Sequence, residues 1–159
     1  MIEVAVANEQ RVLNIDAERL RAAASMVLAM EGPGEAAVSI AVVDDATIHA
    51  LNRQFLNHDY PTDVLSFVLD EGEDSLDGEI IVSAEMALAQ SSAFGWGPDE
   101  ELLLYVIHGA LHLVGYDDQS SEGARAMRDA EARYLRQLGA QQPPIVVDAP
   151  QSNEGGIRR

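Results

Sequence analysis

The chain has 159 residues, of which 47% are hydrophobic, enough for one globular domain with its own core. Its formal net charge is −17, so its average field repels nucleic acids and anionic membranes, and a polyanionic substrate would need a local binding site. The absence of cysteine excludes disulfides, iron–sulfur clusters and thiolate zinc sites, so a protein metal site must use His, Asp or Glu.

The basic residues are all of one kind, because all 10 are arginine. An arginine fork holds a phosphate bidentately, so a local cluster could bind a polyanion in spite of the net charge. The alternative is that the arginines solvate helix faces and pair with neighbouring acids. The start of the chain, "MIEVAVANEQ", has no basic segment followed by a long apolar run, and no stretch is long enough to span a membrane. We therefore expect a cytoplasmic protein without a membrane partner.

The first third of the chain predicts strands and helices in alternation. The residues "IEVAV" alternate as a strand does, and Asp16 is placed to cap a helix that continues to about Met30 and ends at "GPG". Residues 36–43 predict a second strand. Asp44 and Asp45 are cap candidates for the helix that follows, "ATIHALNRQFL".

Two β-rich runs follow, at 64–69 and 78–83, and they predict an antiparallel pair. The acidic segment between them, residues 70–77, predicts a solvent-exposed hairpin loop.

The second half of the chain predicts three helices. Ser83 starts the first of them, which continues to about Phe94 and is ended by "GWGP". Pro98 is the first residue of the next helix, which is apolar nearly all round, is therefore predicted to be buried, and ends where Gly115 supplies a left-handed cap. A last amphipathic helix covers about 123–138. The tail, 140–159, has no helical period and is predicted to be mobile.

The stretch "YVIHGALHLVGYDDQ" contains two of the four histidines, one helical turn apart. Side chains four positions apart share a helix face, so His108 and His112 can reach one metal ion. Gly115 can turn the chain back and let Asp118 or Asp117 approach the same ion. Three protein ligands leave a fourth position open, which is typical of catalytic zinc. The alternative is a pair of core histidines, because an isolated H-x-x-x-H pattern is common by chance.

Three blocks of the sequence, in order and at the correct intervals, resemble the YbeY-type endoribonucleases. These blocks are "HGALHLVGYDD", which is similar to the family's H-G-x-L-H-L-x-G-Y-D-H, "LNRQFLNHDYPTDVLSF" and "GEIIVS". The resemblance covers most of the chain to about residue 138. It implies a single metal-dependent endoribonuclease-like domain over residues 1–139, one zinc ion per chain, and a role in rRNA maturation.

The resemblance implies that the metal ligands are His108, His112 and the residue at position 118. The family normally has a third histidine there, and this chain has Asp118. Aspartate is an acceptable zinc ligand, although its charge weakens the ion's pull on bound water and makes manganese more competitive. Asp117 is the fallback ligand.

A second departure from the family concerns phosphate binding. The arginine that the family usually has after the aromatic residue of the second block is Leu56 here, and Leu56 cannot hold a phosphate. Arg53, one turn earlier, is a candidate for that contact, and a solvated surface arginine is the alternative. The family's acid in the third block is Glu79. Asp63 and Ser66 match family positions near the substrate groove, and turn-capping roles would explain both equally well.

A metalloprotease is a competing class. Its helix motif is H-E-x-x-H, with glutamate as the general base, and this chain has Gly109 at the glutamate's position. That glycine fits either a substrate groove beside the helix or tight packing of the helix on the sheet. The sequence identifies no general acid or base.

We therefore expect an α+β domain, with a mixed sheet of about four strands packed with about five helices and a metal site at the end of a buried helix. The expected function is that of a metal-dependent single-strand endoribonuclease, with rRNA or components of the small ribosomal subunit as partners and no DNA. A non-catalytic, metal-stabilised ribosome-assembly factor that docks on ribosomal proteins is the first alternative. A hydrolase of a small phosphorylated or amide substrate is the second.

Overall fold

A computed structural model of the chain describes residues 1–140. The elements follow one another as β1 (Ile2–Asn8), α1 (Ala17–Glu31), β2 (Glu35–Val43), α2 (Asp45–Leu56), β3 (Val64–Gly72), β4 (Ser75–Ser83), α3 (Ala84–Phe94), α4 (Pro98–Leu113) and α5 (Ser121–Gln137). The predicted α+β class is confirmed, with four strands and five helices in this part of the chain. The tail predicted to be mobile lies outside the described residues from position 141 onward.

The strands form one mixed sheet in the order β1-β2-β4-β3. Strands β1, β2 and β4 are mutually parallel, and β3 pairs antiparallel with β4 at one edge. The predicted antiparallel pairing of β3 with β4 is confirmed. Because β3 is an edge strand, one side of it is left to border a groove.

The hairpin between β3 and β4 is tighter than the sequence predicts. The acidic segment 70–77 was expected to be a loop, but the strands pair through Gly72 and Ser75, so only Glu73 and Asp74 form the turn. The end of β3, from Asp70 to Gly72, is exposed on both faces, so it lacks the alternation of polar and apolar residues that marks a half-buried strand. The turn is tied to the start of β2, since the Glu35 N–H donates to the Asp74 carbonyl oxygen at 3.1 Å.

Side-chain caps begin several helices where the sequence predicts them. The Asp16 carboxylate accepts from the Arg19 N–H at 3.2 Å, and the Asp44 carboxylate accepts from the Thr47 N–H at 2.8 Å. The Ser83 hydroxyl accepts from the Met86 N–H at 3.1 Å. Each cap satisfies a backbone donor that the first helical turn leaves without a partner.

The two faces of the sheet are covered unequally. The main core lies between one face and helices α1, α3, α4 and α5, whereas α2 covers the other face over a small cluster made of Val43, Ile48, Leu65 and Ile81. Helix α4 lies at the centre of the four helices that cover the main core, and it packs on α1, α3, α5, β3 and β4. Its prediction as a buried helix is confirmed. Within residues 1–140, no helix combines the length and the apolar character needed to cross a membrane.

Helix α4 packs very closely on the central strand β4. A Cβ atom at Gly109 would lie 2.7 Å from Ile80 Cγ2 and 3.3 Å from Val64 Cγ2. On the strand side, a Cβ atom at Gly78 would lie 2.9 Å from Leu113 Cδ1. The structure therefore accounts for Gly109 by packing against the sheet, and it holds the C-terminal half of α4 in a fixed position.

Candidate metal centre

Two histidines lie one turn apart in the C-terminal half of α4. His108 is buried and His112 is half buried, and their ring centroids are 4.6 Å apart with the planes at 78°. The shared helix face directs both rings to one point. Their Nε2 atoms are only 3.0 Å apart.

Each histidine ring is oriented through its Nδ1 atom. His108 Nδ1 donates to Glu131 Oε2 at 2.6 Å, and His112 Nδ1 donates to the Tyr116 carbonyl oxygen at 3.0 Å. Because both partners are acceptors, the hydrogen of each neutral ring is on Nδ1 and the lone pair is on Nε2. Two lone pairs that face each other at 3.0 Å repel unless a proton or a metal ion lies between them.

The environment of His112 favours its neutral form. Burial lowers the pKa of His112 below its ordinary value, and the neighbouring His108 lowers this pKa further, against the opposing charge of Asp118. The neutral imidazole is the form that binds a metal ion.

The chain turns sharply after α4 and returns toward the histidines. Gly115 has a positive φ of 107°, and the N–H groups of Gly115 and Tyr116 donate to the carbonyl oxygens of His112 and Leu111 at 3.1 and 3.0 Å. This pair of bonds is the Schellman motif, which a glycine favours at its left-handed position. The predicted glycine cap is confirmed, and the turn carries Asp118 to the face of α4 that holds the two histidines.

Asp118 completes a group of three possible ligands. Its Oδ2 atom lies 3.8 Å from His108 Nε2 and 3.9 Å from His112 Nε2. A tetrahedral ion with bonds of about 2.1 Å requires its ligand atoms to be about 3.4 Å apart. The separations of 3.0, 3.8 and 3.9 Å lie on both sides of this value, so the three side chains fit a single metal ion.

The three side chains open into a groove of about 490 Å³. Strand β3, the loop after α2 and the turn after α4 line it, and this volume is within the range of about 300–1,000 Å³ that small-ligand sites occupy. A larger cavity of about 590 Å³ lies at the carboxyl ends of β1 and β2 and includes Glu9, Asp44 and Glu85. We assign the functional site to the smaller groove, because it contains the group of three metal-ligating side chains found within the described residues.

The structure separates the two aspartates that the sequence left as alternative ligands. Asp118 lies with the histidines, whereas Asp117 accepts from the Gln119 N–H at 2.9 Å and stabilises the turn. Leu56 lines the groove and is 44% exposed. Arg53 is exposed, does not line the groove, and lies 3.9 Å from Asp59 Oδ1.

The other residues carried over from the family lie in different environments. Ser66 lines the groove on β3. Asp63 is buried, and its carboxylate accepts from the N–H of the next residue, Val64, at 2.8 Å. Glu79 shares a sheet face with Ile81, and side chains on that face point away from α4 and its histidines.

Glu131 is a residue of the site that the sequence interpretation missed. It is 5% exposed and lies on α5, among the buried residues that face the core: Met127, Ala130, Tyr134 and Leu135. A carboxylate inside the apolar stripe of an amphipathic helix is costly unless it is paired, and that pattern could have identified it.

Glu31 also supports the site, although it is far from the histidines in sequence and no local sequence pattern indicates its role. Its carboxylate accepts from the hydroxyls of Tyr116 and Tyr134, both at 2.5 Å, and from Arg133 Nη2 at 3.3 Å. Burial raises the pKa of Tyr134 to about 12, and the hydrogen bond to Glu31 contributes. Because the Tyr116 carbonyl orients His112, this network fixes a metal-site residue from the far end of α1.

Fold and site together define a single-domain α+β protein with a candidate metal centre at the C-terminal end of a buried helix. Residues 5–139 match the protein-family model "Endoribonuclease YbeY". The chain belongs to the YbeY family, as the three sequence blocks predicted.

Individual relatives support this assignment. An Endoribonuclease YbeY from Rhodopirellula baltica is 46% identical over 126 residues, which cover 78% of this chain and 65% of that protein, less than two thirds of its length. An Endoribonuclease YbeY from Pelotomaculum thermopropionicum is 43% identical over 127 residues, or 75% of this chain and 84% of that protein. The solution structure of TM1509 from Thermotoga maritima is 30% identical with a TM-score of 0.60, and the match covers 87% of this chain and 89% of that one.

Proposed function

We propose that this protein is a metal-dependent single-strand endoribonuclease that acts in rRNA maturation and ribosome biogenesis. The observation that carries the proposal is the pair of Nε2 atoms of His108 and His112 that face each other, with Asp118 beside them, at one end of a groove. The relatives named Endoribonuclease YbeY support RNA as the substrate and hydrolysis of a phosphodiester as the reaction.

His108, His112 and Asp118 would hold one zinc ion, with a fourth position left for solvent or substrate. A divalent ion at this point supplies a Lewis acid that stabilises charge on a scissile phosphate. Glu131 keeps the His108 ring oriented, and the carboxylates of Glu131 and Asp118 together balance a charge of +2. Because Asp118 is a harder ligand than histidine, manganese would compete better here than at a site of three histidines.

The groove favours a single strand over a duplex. Single-stranded nucleotides can be splayed out so that their bases enter a groove, whereas paired bases cannot. Within the described residues, Asp118 is the only carboxylate among the groove's lining, so the strong negative charge of the chain lies elsewhere. A phosphate contact from Arg53, which neighbours the groove-lining Asn52, remains a prediction.

Cleavage of a structured rRNA fragment tests the proposal. Wild type loaded with zinc should cut single-stranded segments, and chelation or His112→Ala should abolish the cutting. His49→Ala is the matched control, because His49 is a half-buried histidine that bonds Asp59 and does not line the groove. Undiminished cleavage by His112→Ala, or cleavage that survives chelation, would contradict the proposal.

A non-catalytic ribosome-assembly factor is the second candidate, and the net charge of −17 favours it. A strongly acidic surface is complementary to basic ribosomal proteins. If this candidate is correct, chelation should lower the melting temperature, the zinc-loaded protein should leave RNA intact, and basic ribosomal proteins of the small subunit should bind it with an affinity that falls with salt.

A further inference from the structure

Two aromatic rings lie stacked in the wall of the groove that contains the metal centre. The rings of His58 and Tyr60 have centroids 5.4 Å apart and planes that differ by 12°. Both residues line the groove together with His108, His112 and Asp118. Parallel flat rings can accept a third flat ring by stacking, and a nucleobase is such a ring.

The loop that carries these rings is held in place by the end of α2. The Asn52 side-chain amide donates to the Tyr60 carbonyl oxygen at 3.0 Å, and the His58 N–H donates to the Asn52 carbonyl oxygen at 3.2 Å. Asn52 itself is buried. A loop whose backbone is ordered before binding loses less conformational entropy when a ligand arrives.

The charge of the groove indicates how RNA would be held there. Among the described residues that line the groove there is no arginine, and the chain contains no lysine. Cationic side chains that would attract phosphates are therefore missing from this lining. Stacking does not depend on charge, so it can supply affinity in a strongly acidic protein.

We propose that His58 and Tyr60 form a base-stacking subsite that holds one nucleotide of single-stranded RNA in the groove beside the metal centre. This inference rests on the proposed endoribonuclease function and deepens it. The subsite recognises an unpaired base by its flat face and is tolerant of sequence.

Substitutions at Tyr60 test the subsite through the steady-state kinetics of RNA cleavage. Tyr60→Leu keeps apolar bulk and removes the ring, and it should raise KM by about 5- to 150-fold, the loss typical of one stacked base, with a much smaller change in kcat. Tyr60→Phe should restore most of the lost affinity, because it retains the ring. Phe55→Leu is the matched control, since Phe55 is an aromatic residue that is 59% exposed and does not line the groove.

An abasic substrate identifies the nucleotide that occupies the subsite. One abasic position near the cleaved bond should raise the KM of wild type by a similar factor and should have little further effect on Tyr60→Leu. The subsite would be overturned if the abasic position and Tyr60→Leu raised KM by factors that multiply. It would also be overturned if Tyr60→Leu left KM unchanged.

The salt dependence of binding gives an independent readout. The slope of log K against log salt for single-stranded RNA should be shallower than about −1.4, the value expected for two neutralised phosphates. A steep slope would show that cations outside the groove supply most of the affinity and would overturn stacking as its main source. If wild type cleaves RNA and Tyr60→Leu behaves identically, only the subsite is contradicted. If zinc-loaded wild type neither binds nor cleaves RNA, the proposed function is contradicted as well.

Discussion

At the residue scale, Glu131 orients the ring of His108 in the proposed metal centre. Glu131→Gln keeps the size of the side chain and removes the charge that fixes the His108 ring through Nδ1. Loss of such a partner typically weakens metal binding by about 10- to 100-fold. Competition with a chromogenic chelator measures the zinc affinity directly. Asp129→Asn is the matched control, because Asp129 is an exposed carboxylate on the same helix, and equal affinities of the two variants would contradict the role of Glu131.

Leu56 is the groove-lining residue at which this chain departs from the family's arginine. Leu56→Arg should tighten binding of single-stranded RNA and steepen its salt slope by about 0.7, the contribution of one neutralised phosphate. Leu56→Gln controls for polarity without charge. An unchanged slope for Leu56→Arg would mean that RNA does not pass this position.

Much of the candidate metal site could be predicted from residues that are close in sequence. His108, His112 and Asp118 lie within eleven consecutive residues, so helical spacing and one glycine turn relate them. Glu131 and Glu31 could not be placed in the same way, because their contacts join residues 23 and 85 positions apart and depend on how α5 and α1 pack. The choice between Asp117 and Asp118 likewise depends on the geometry of the turn.

At the scale of elements, the close packing of α4 on β4 fixes the position of the histidines. Gly109→Ala should lower the free energy of unfolding, because overpacking typically costs about 1–3 kcal/mol, more than the gain of up to about 1 kcal/mol in helix propensity. The clash is with Ile80 Cγ2, at 2.7 Å from the added Cβ.

A double-mutant cycle, with the free energy of unfolding measured in urea, tests whether the clash with Ile80 causes this loss of stability. Ile80→Ala removes the methyl group concerned, so Gly109→Ala should be neutral or stabilising in the Ile80→Ala background. Additive effects of the two substitutions would show that the clash does not limit the packing of α4.

The boundaries of the elements were predictable where a cap or a break marks them. Asp16, Asp44, Ser83 and Pro98 each stand at a helix start that the structure contains. The β3–β4 hairpin was the exception, because the end of β3 is exposed on both faces and its side chains do not alternate, while at the start of β4 the buried positions are only Leu76 and Gly78.

At the scale of the whole molecule, the chain contains no lysine and no cysteine. The pH dependence of unfolding in alkaline solution therefore depends mainly on the ionisation of tyrosine. Tyr134 has its pKa raised from 10.0 to about 12 by burial first and by the hydrogen bond to Glu31, and the pKa of Tyr116 is also raised, mainly by its bond to Glu31. The unfolded chain therefore loses these protons before the folded chain does. The stability that they contribute is complete below about pH 10 and should be lost as the pH rises toward 12.

Urea unfolding between pH 9 and pH 12, together with tyrosinate absorbance, measures this effect. Glu31→Gln should lower the pKa of both tyrosines and move the loss of stability to lower pH. If the variant and wild type titrate alike, Glu31 does not hold the two hydroxyls in solution.

The distribution of charge across the molecule explains how an acidic protein could act on RNA. The net charge of −17 predicts weak steering of RNA toward the surface, so association should be slow compared with that of basic nucleases. In the proposed function, recognition of RNA would then depend on the groove itself, where Asp118 is the single carboxylate among the described lining residues.

Metal content is the most direct test of the central claim that His108, His112 and Asp118 hold one ion that RNA cleavage requires. Elemental analysis of wild type, His112→Ala and Asp118→His, with cleavage measured on the same samples, decides it. Wild type and Asp118→His should each contain one ion per chain, with a greater preference for zinc over manganese in Asp118→His, and His112→Ala should lose both metal and cleavage. A full complement of metal in His112→Ala, or wild type that cleaves RNA without any bound metal, would contradict the account.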